Sequence, residues 1–152
     1  MEEKKKEGRY GRIYNQLSEL VLKSNSQSAR MATIVAVLHH KMDYFFWTGF
    51  YILTDGELIV GPYQGPVACI KLKKDIGVCW AGFNEGETIV VPNVHEFPGH
   101  IACDSRSNSE IDVPVRDNKN TVIAVLDVDS KNLNSFNEID LEYLEKIMLL
   151  LK

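Results

Sequence analysis

The chain has 152 residues, 45% of them hydrophobic and 25% charged, which is enough apolar material for one domain with its own core and excludes wholesale disorder. A formal net charge of −4 excludes a protein built mainly to hold nucleic acid, since no broad excess of Lys and Arg exists to replace phosphate counterions. No apolar run approaches the ~20 residues of a membrane-spanning helix and no apolar h-region follows the early lysines, so a cytoplasmic protein without membrane association is expected.

The opening MEEKKKEGR mixes signs and lacks an apolar stripe, so residues 1–12 are expected to form a flexible, solvated tail and residues 13–152 the domain. IYNQLSELVLK then places Ile13, Leu17, Leu20 and Val21 at helical spacing. SQSARMATIVAVLHHKM follows as a largely buried helix, with Ser26 or Ser28 as its cap and Ala29, Ala32, Ile34, Val35 and Leu38 on its apolar face. FFWTGFYIL and ELIVG flank Thr54-Asp55-Gly56, where Asp-Gly signals a β-hairpin. VACIKL reads as a third strand, GVCWAGFNEG as one or two helical turns between glycines, and ETIVV as a short strand. Residues 92–109 form a long irregular loop. EIDVPVRD and TVIAVLDVDS are two strands joined through Asn118-Lys119-Asn120. In SFNEIDLEYLEKIMLLLK, Ser135 and Glu138 read as a capping box ahead of a helix carrying Ile139, Leu141, Leu144, Ile147 and Met148.

There is no internal repeat, low-complexity tract or Pro/Gly linker. Strands in a run, with helices segregated to the chain ends, predict a single α+β domain: an antiparallel sheet with helices packed on one face. The other face is left for the short helix and the long loop. A loop of that length between confident strands points to function.

Side chains alternate along a strand, so Asp127 and Asp129 share a face about 6.5–7 Å apart, as do Glu110 and Asp112. If those strands pair, several carboxylates gather on one surface. That is either a solvent-facing sheet or an acidic pocket, and in a pocket a bound cation such as an ammonium group would relieve the mutual repulsion.

A metal fits the sequence less well. His95 and His100 are five apart with Pro98-Gly99 between them, which breaks the helix that a zinc-protease motif needs. The PCxxC of a zinc deaminase does not follow, and no phosphate-cradling glycine motif occurs, so neither metal nor cofactor is expected.

The three cysteines differ in kind. An odd number makes no closed disulfide framework, and cytosolic disulfides are usually transient or catalytic. Cys69 in VACIKL and Cys79 in GVCWAG read as small buried hydrophobes. Cys103 lies in polar loop sequence where a thiolate is accessible; His100 would favour its ionisation and Asp104 oppose it. Which second thiol could resolve an oxidised Cys103 stays open from the residues alone.

GPYQGPVACI, GVCWAG, NVHEFPGHIACDSRSNSEI and VLDVDS, with the aromatic strand WTGFYIL, together resemble the free methionine-(R)-sulfoxide reductases, enzymes built on a GAF domain. The similarity runs from about Leu17 to the C-terminus, with the cysteines ten and then twenty-four residues apart in matching contexts. The resemblance implies a GAF-like fold, often dimeric, that reduces free methionine-(R)-sulfoxide and is recharged by thioredoxin. It implies Cys103 as the catalytic cysteine, Cys69 as the resolving one and Cys79 as an auxiliary. Trp47 and Tyr51, which by position alone read as core aromatics, would wall the substrate's methyl end. Glu110, Asp127 and Asp129 would engage its amino group, and backbone N–H groups from Ile101 through Ala102 to Cys103 would hold the sulfoxide oxygen. Two positions depart from the family pattern: Trp80 stands where a glycine is expected, and Asp112 where an aliphatic residue is expected. The alternatives are a non-catalytic GAF module that binds a small ligand, or a thiol redox sensor working through Cys103 and Cys69.

Overall fold

The computed structural model describes residues 1–100 and 103–152. Among these residues four α-helices and five β-strands follow in chain order: α1 (Glu3–Leu20), α2 (Gln27–Lys41), β1 (Trp47–Thr54), β2 (Glu57–Gln64), α3 (Val78–Glu85), β3 (Ile89–Val91), β4 (Ser109–Arg116), β5 (Val122–Ser130) and α4 (Glu138–Met148). The strands make one sheet in the order β2-β1-β5-β4-β3, with every neighbouring pair antiparallel. The α+β architecture expected from the sequence is therefore present.

Alternation sorts the sheet's two faces. Phe50, Ile111, Val113, Val115, Ala124, Leu126 and Val128 point to one side and join residues of α1, α2 and α4 in the main core. Trp47, Tyr51, Glu110, Asp112, Asp127 and Asp129 have the opposite parity and face α3 and the long loop. The hairpin between β1 and β2 turns through Asp55 and Gly56, both at positive φ (52° and 80°), the left-handed pair that the Asp-Gly signal implies.

Three expectations are corrected. Residues 3–12, read as a flexible tail, form the first turns of α1. Lys6, Tyr10, Ile13 and Leu17 make a single buried stripe at spacings of four, three and four, with a lysine where an apolar residue would have announced the helix. The Lys6 Nζ is 2.7 Å from the Asp140 Oδ2 of α4, and the Tyr10 hydroxyl donates to Oδ1 of the same carboxylate at 2.6 Å. The cap of α4 lies two residues beyond the expected one: Asn137 accepts from Ile139 N–H while the Asp140 side chain accepts from Asn137 N–H. Finally, VACIKL is not a strand. It follows the free edge of β2 through one bridge, Ile59 to Lys71, and two backbone hydrogen bonds, Val60 N–H to Ile70 O and Leu72 N–H to Leu58 O. No helix among the described residues is long and apolar enough to cross a membrane.

Candidate active site

β1 supplies the aromatic wall. Trp47 stacks on Tyr51 with ring centroids 5.8 Å apart and on Tyr63 of β2 at 5.3 Å. Gly49 lies between Trp47 and Tyr51 on the same face and makes this possible: a Cβ there would sit 2.4 Å from the Tyr63 Cβ and 2.6 Å from the Trp47 ring. Both aromatic tips are spent on the segment between β2 and α3. The Trp47 indole N–H donates to Pro66 O and the Tyr51 hydroxyl to Cys69 O, each at 3.0 Å. The backbone around Cys69 is thus hung from the wall of the pocket.

The floor is acidic. β4 and β5 pair Glu110 with Asp129 and Asp112 with Asp127, which brings four carboxyl groups onto one patch of sheet. Glu110, Asp112 and Asp127 are buried (5, 0 and 7% exposed), and Asp129 is partly exposed. Burial pushes Glu110 well above the usual carboxylate range, with the Asp112 charge adding to it. Burial, then the Asp127 charge, does the same to Asp112 and Asp129. Asp127 is pushed up to about 6 by burial, against which hydrogen bonds from its acidic neighbours and Cys79 pull down. At neutral pH the patch therefore holds both protons and charge, the condition for a proton donor beside a cation-binding group.

The cysteines close the third side. Cys69 and Cys103 form a disulfide, with Cα atoms 5.6 Å apart and 34 residues between them in sequence. Cys103 is exposed and Cys69 half-buried, as befits a bond at the pocket mouth. Cys79, in the first turn of α3, is a buried free thiol whose Sγ lies 3.4 Å from the Asp112 Oδ1. Burial, then the Asp112 charge, pushes that thiol up, so it stays protonated.

The open-mouthed cavity is about 240 Å³ and is lined by the disulfide, Cys79, Trp47, Tyr51, Glu110, Asp127 and Asp129 among others. This is the scale of a small molecule such as an amino acid rather than of a peptide. The side-chain sites expected from sequence, Cys103, Cys69, Cys79, Trp47, Tyr51, Glu110, Asp127 and Asp129, are thereby brought together. Ile101 and Ala102, expected to offer backbone N–H groups, lie outside the described residues.

Other features came out differently. Asp104 does not weigh on Cys103 as an uncompensated charge: Arg106 donates from Nε to Oδ1 at 2.9 Å and from an Nη to Oδ2 at 2.6 Å, and these bonds hold its carboxyl down at about 2. His95 turns outward and pairs its Nε2 with the Asn108 side chain at 2.9 Å. His100 does reach the cavity, where burial and then His95 hold it below its ordinary range. Trp80 packs with Trp47, Tyr51, Leu58 and Cys79 and edge-on against Phe83 at 5.5 Å, so it is a support beneath the wall. Sequence reasoning undervalued Asp112, whose parity with Glu110 was visible but whose position opposite Asp127 is set only by strand register. As for a cation, the Cys79 Sγ and one oxygen each of Glu110, Asp112 and Asp127 lie within 4.8 Å of one another.

Comparisons with known proteins place the chain in a family. A family model described as GAF domain matches residues 26–151. GAF domain-containing protein A of Dictyostelium discoideum is 46% identical over 147 residues, covering 96% of this chain and 92% of that protein. The free methionine-R-sulfoxide reductase of Escherichia coli is 35% identical over 139 residues, covering 91% of this chain and 84% of that one. The crystal structure of free methionine-R-sulfoxide reductase from Neisseria meningitidis in complex with its substrate superposes with a TM-score of 0.89 at 38% identity, covering 93% of this chain and 85% of that one.

Proposed function

The chain belongs to the GAF-domain family, and within it we propose that it is a free methionine-(R)-sulfoxide reductase, with Cys103 as nucleophile and Cys69 as the thiol that resolves it. The observation that carries the reading is the Cys69–Cys103 disulfide at the mouth of a small pocket whose floor is carboxylic.

In the reduced protein the Cys103 thiolate attacks the sulfoxide sulfur. Oxygen passes to Cys103 as a sulfenic acid and methionine leaves as the thioether. The proton that the oxygen needs comes from one of the two cavity carboxyls that burial keeps protonated, Glu110 or Asp129. Cys69 then attacks the sulfenic sulfur, water departs, and the disulfide forms. A dithiol of the thioredoxin class returns two electrons and two protons to it.

Trp47 and Tyr51 present apolar faces to the methyl end, and Glu110, Asp127 and Asp129 take the free ammonium. A methionine inside a peptide has no such charge, so it cannot offset the cost of leaving those carboxylates buried and unpaired. Selectivity for the free amino acid follows. A cytoplasmic homodimer completes the proposal; sedimentation of the purified chain tests the dimer.

The test offers both epimers of free methionine sulfoxide with dithiothreitol and follows product with the masses of the cysteine peptides. The R epimer is consumed, the S epimer is not, and Cys103→Ser abolishes turnover. Unchanged turnover in Cys103→Ser sinks the mechanism. The redox-sensor alternative uses the same disulfide; it gains if peroxide forms that bond far faster than the sulfoxide does.

A further inference from the structure

We propose that the acidic floor is also a binding site for a borderline-soft divalent cation of the zinc class, held by the Cys79 Sγ and one carboxylate oxygen each from Glu110, Asp112 and Asp127, and that this ion competes with the substrate's amino group. The competition rests on the substrate reading above; the cation site does not.

Three elements deliver the ligands: α3 brings Cys79, β4 brings Glu110 and Asp112, and β5 brings Asp127. The four ligand atoms lie within 4.8 Å of one another, and the Cys79–Asp112 pair is at 3.4 Å. Bonds to zinc of about 2.3 Å for sulfur and about 2.0–2.2 Å for oxygen put neighbouring ligands of a tetrahedron roughly 3.3–3.8 Å apart. The side chains therefore close on an ion by small rotations, without moving the sheet.

A second observation points to a ligand. The Asp112 Oδ2 and the Asp127 Oδ1 are buried and, apart from protons shared with the neighbouring carboxyls, have no hydrogen-bond donor among the described residues. Oxygens in that condition are costly, and a cation satisfies both at once. The substrate's ammonium does not explain Asp112, which is 0% exposed and is not among the described residues lining the cavity. A single atom seated between Cys79 and Asp127 reaches it.

The donor set selects the metal. One sulfur with three carboxylates suits zinc, cadmium or cobalt, whereas magnesium and calcium favour an all-oxygen shell of six or more ligands, to which a thiolate contributes nothing. Loading displaces the thiol proton of Cys79 and the protons that burial holds on the Glu110 and Asp112 carboxyls, all of them into solvent. The disulfide takes Cys69 and Cys103, so Cys79 is the one thiol left among the chain's three cysteines, and the site persists in the oxidised protein.

That last point makes the test clean. The oxidised full-length protein is titrated with Co²⁺ while the near-ultraviolet thiolate-to-cobalt charge-transfer band is followed. The band saturates at one ion per chain, is absent in Cys79→Ser, and is bleached by Zn²⁺ or by free methionine. Asp112→Asn, nearly isosteric and a check on any folding defect in the cysteine variant, weakens the affinity roughly tenfold or more, the least that even outer-shell partners typically cost. No band, a band that survives Cys79→Ser, or an affinity indifferent to Asp112→Asn overturns the site. A band insensitive to methionine overturns the competition. A failed epimer assay with the band intact sinks the reductase reading and leaves the cation site standing.

Discussion

Asp127 is the floor carboxyl that gives up its proton most readily, because hydrogen bonds from Asp112, Glu110 and Cys79 offset part of its burial. In the proposed function it is accordingly the group that would carry charge to the substrate's ammonium. Replacing it as Asp127→Asn removes a charge-assisted hydrogen bond of about 1.5–3 kcal/mol and raises KM for free methionine sulfoxide roughly 10- to 100-fold in a dithiothreitol-driven assay, with a smaller change in kcat. An unchanged KM would mean that the amine is held elsewhere. At this scale the sequence was informative wherever period-two alternation did the work: Asp127 and Asp129 share a face by parity, and Glu110 joins them once β4 and β5 pair. It was silent on depth. Asp112 has the same parity but is more deeply buried than any of them, and only register with β5 places it opposite Asp127. Nor could local pattern pair Cys69 with Cys103, since their meeting depends on a segment latched by Trp47 and Tyr51; only the family resemblance anticipated it.

Among the elements, α1 is the one whose attachment is least apparent from its sequence. Its apolar stripe begins with Lys6, and the helix is tied down by the buried Lys6–Asp140 pair, with the Tyr10 and Tyr44 hydroxyls on the same carboxylate. Removing one partner of a buried pair strands the other. Lys6→Ala is expected to cost about 3 kcal/mol, read as a lower urea midpoint with an unchanged slope. A loss near zero would show that the two phenols suffice to hold Asp140. The long, strongly periodic elements α2, β1, β4 and β5 were legible because their apolar positions repeat at the period of their own structure. The failures came where tertiary contact overrides local signal. VACIKL alternates like a strand, but Tyr51 draws the Cys69 carbonyl inward, Trp47 holds the carbonyl of Pro66 just before it, and only a bridge to β2 is left. At α4 the preferred capping pair began at Ser135, whose hydroxyl is instead engaged by Ser130 and Asn132.

For the whole molecule, the acidic floor sets a pH dependence with a definite sign. Its carboxyls have raised proton affinity in the folded state, so the native chain binds more protons than the unfolded one from the ordinary carboxylate range near pH 4 up to Asp127's value of about 6 and beyond. The stability they contribute is present in full below pH 4 and is lost as pH rises through 6. Asp127 alone accounts for something of order 3 kcal/mol. Urea unfolding from pH 5 to pH 8 should show stability falling with pH, and the fall should be shallower in Asp127→Asn. A rise over that range would mean that the carboxylates are ionised and compensated in the native state.

The bond between Cys69 and Cys103 closes a span of 34 residues, and such a crosslink restricts the unfolded ensemble by about 4 kcal/mol. For a chain of this size that is a melting temperature about 10 °C higher, visible in a calorimeter on samples with and without reductant. Toughness therefore alternates within every turnover: the chain is hardiest when its electron supply fails and softens as each pair of electrons arrives.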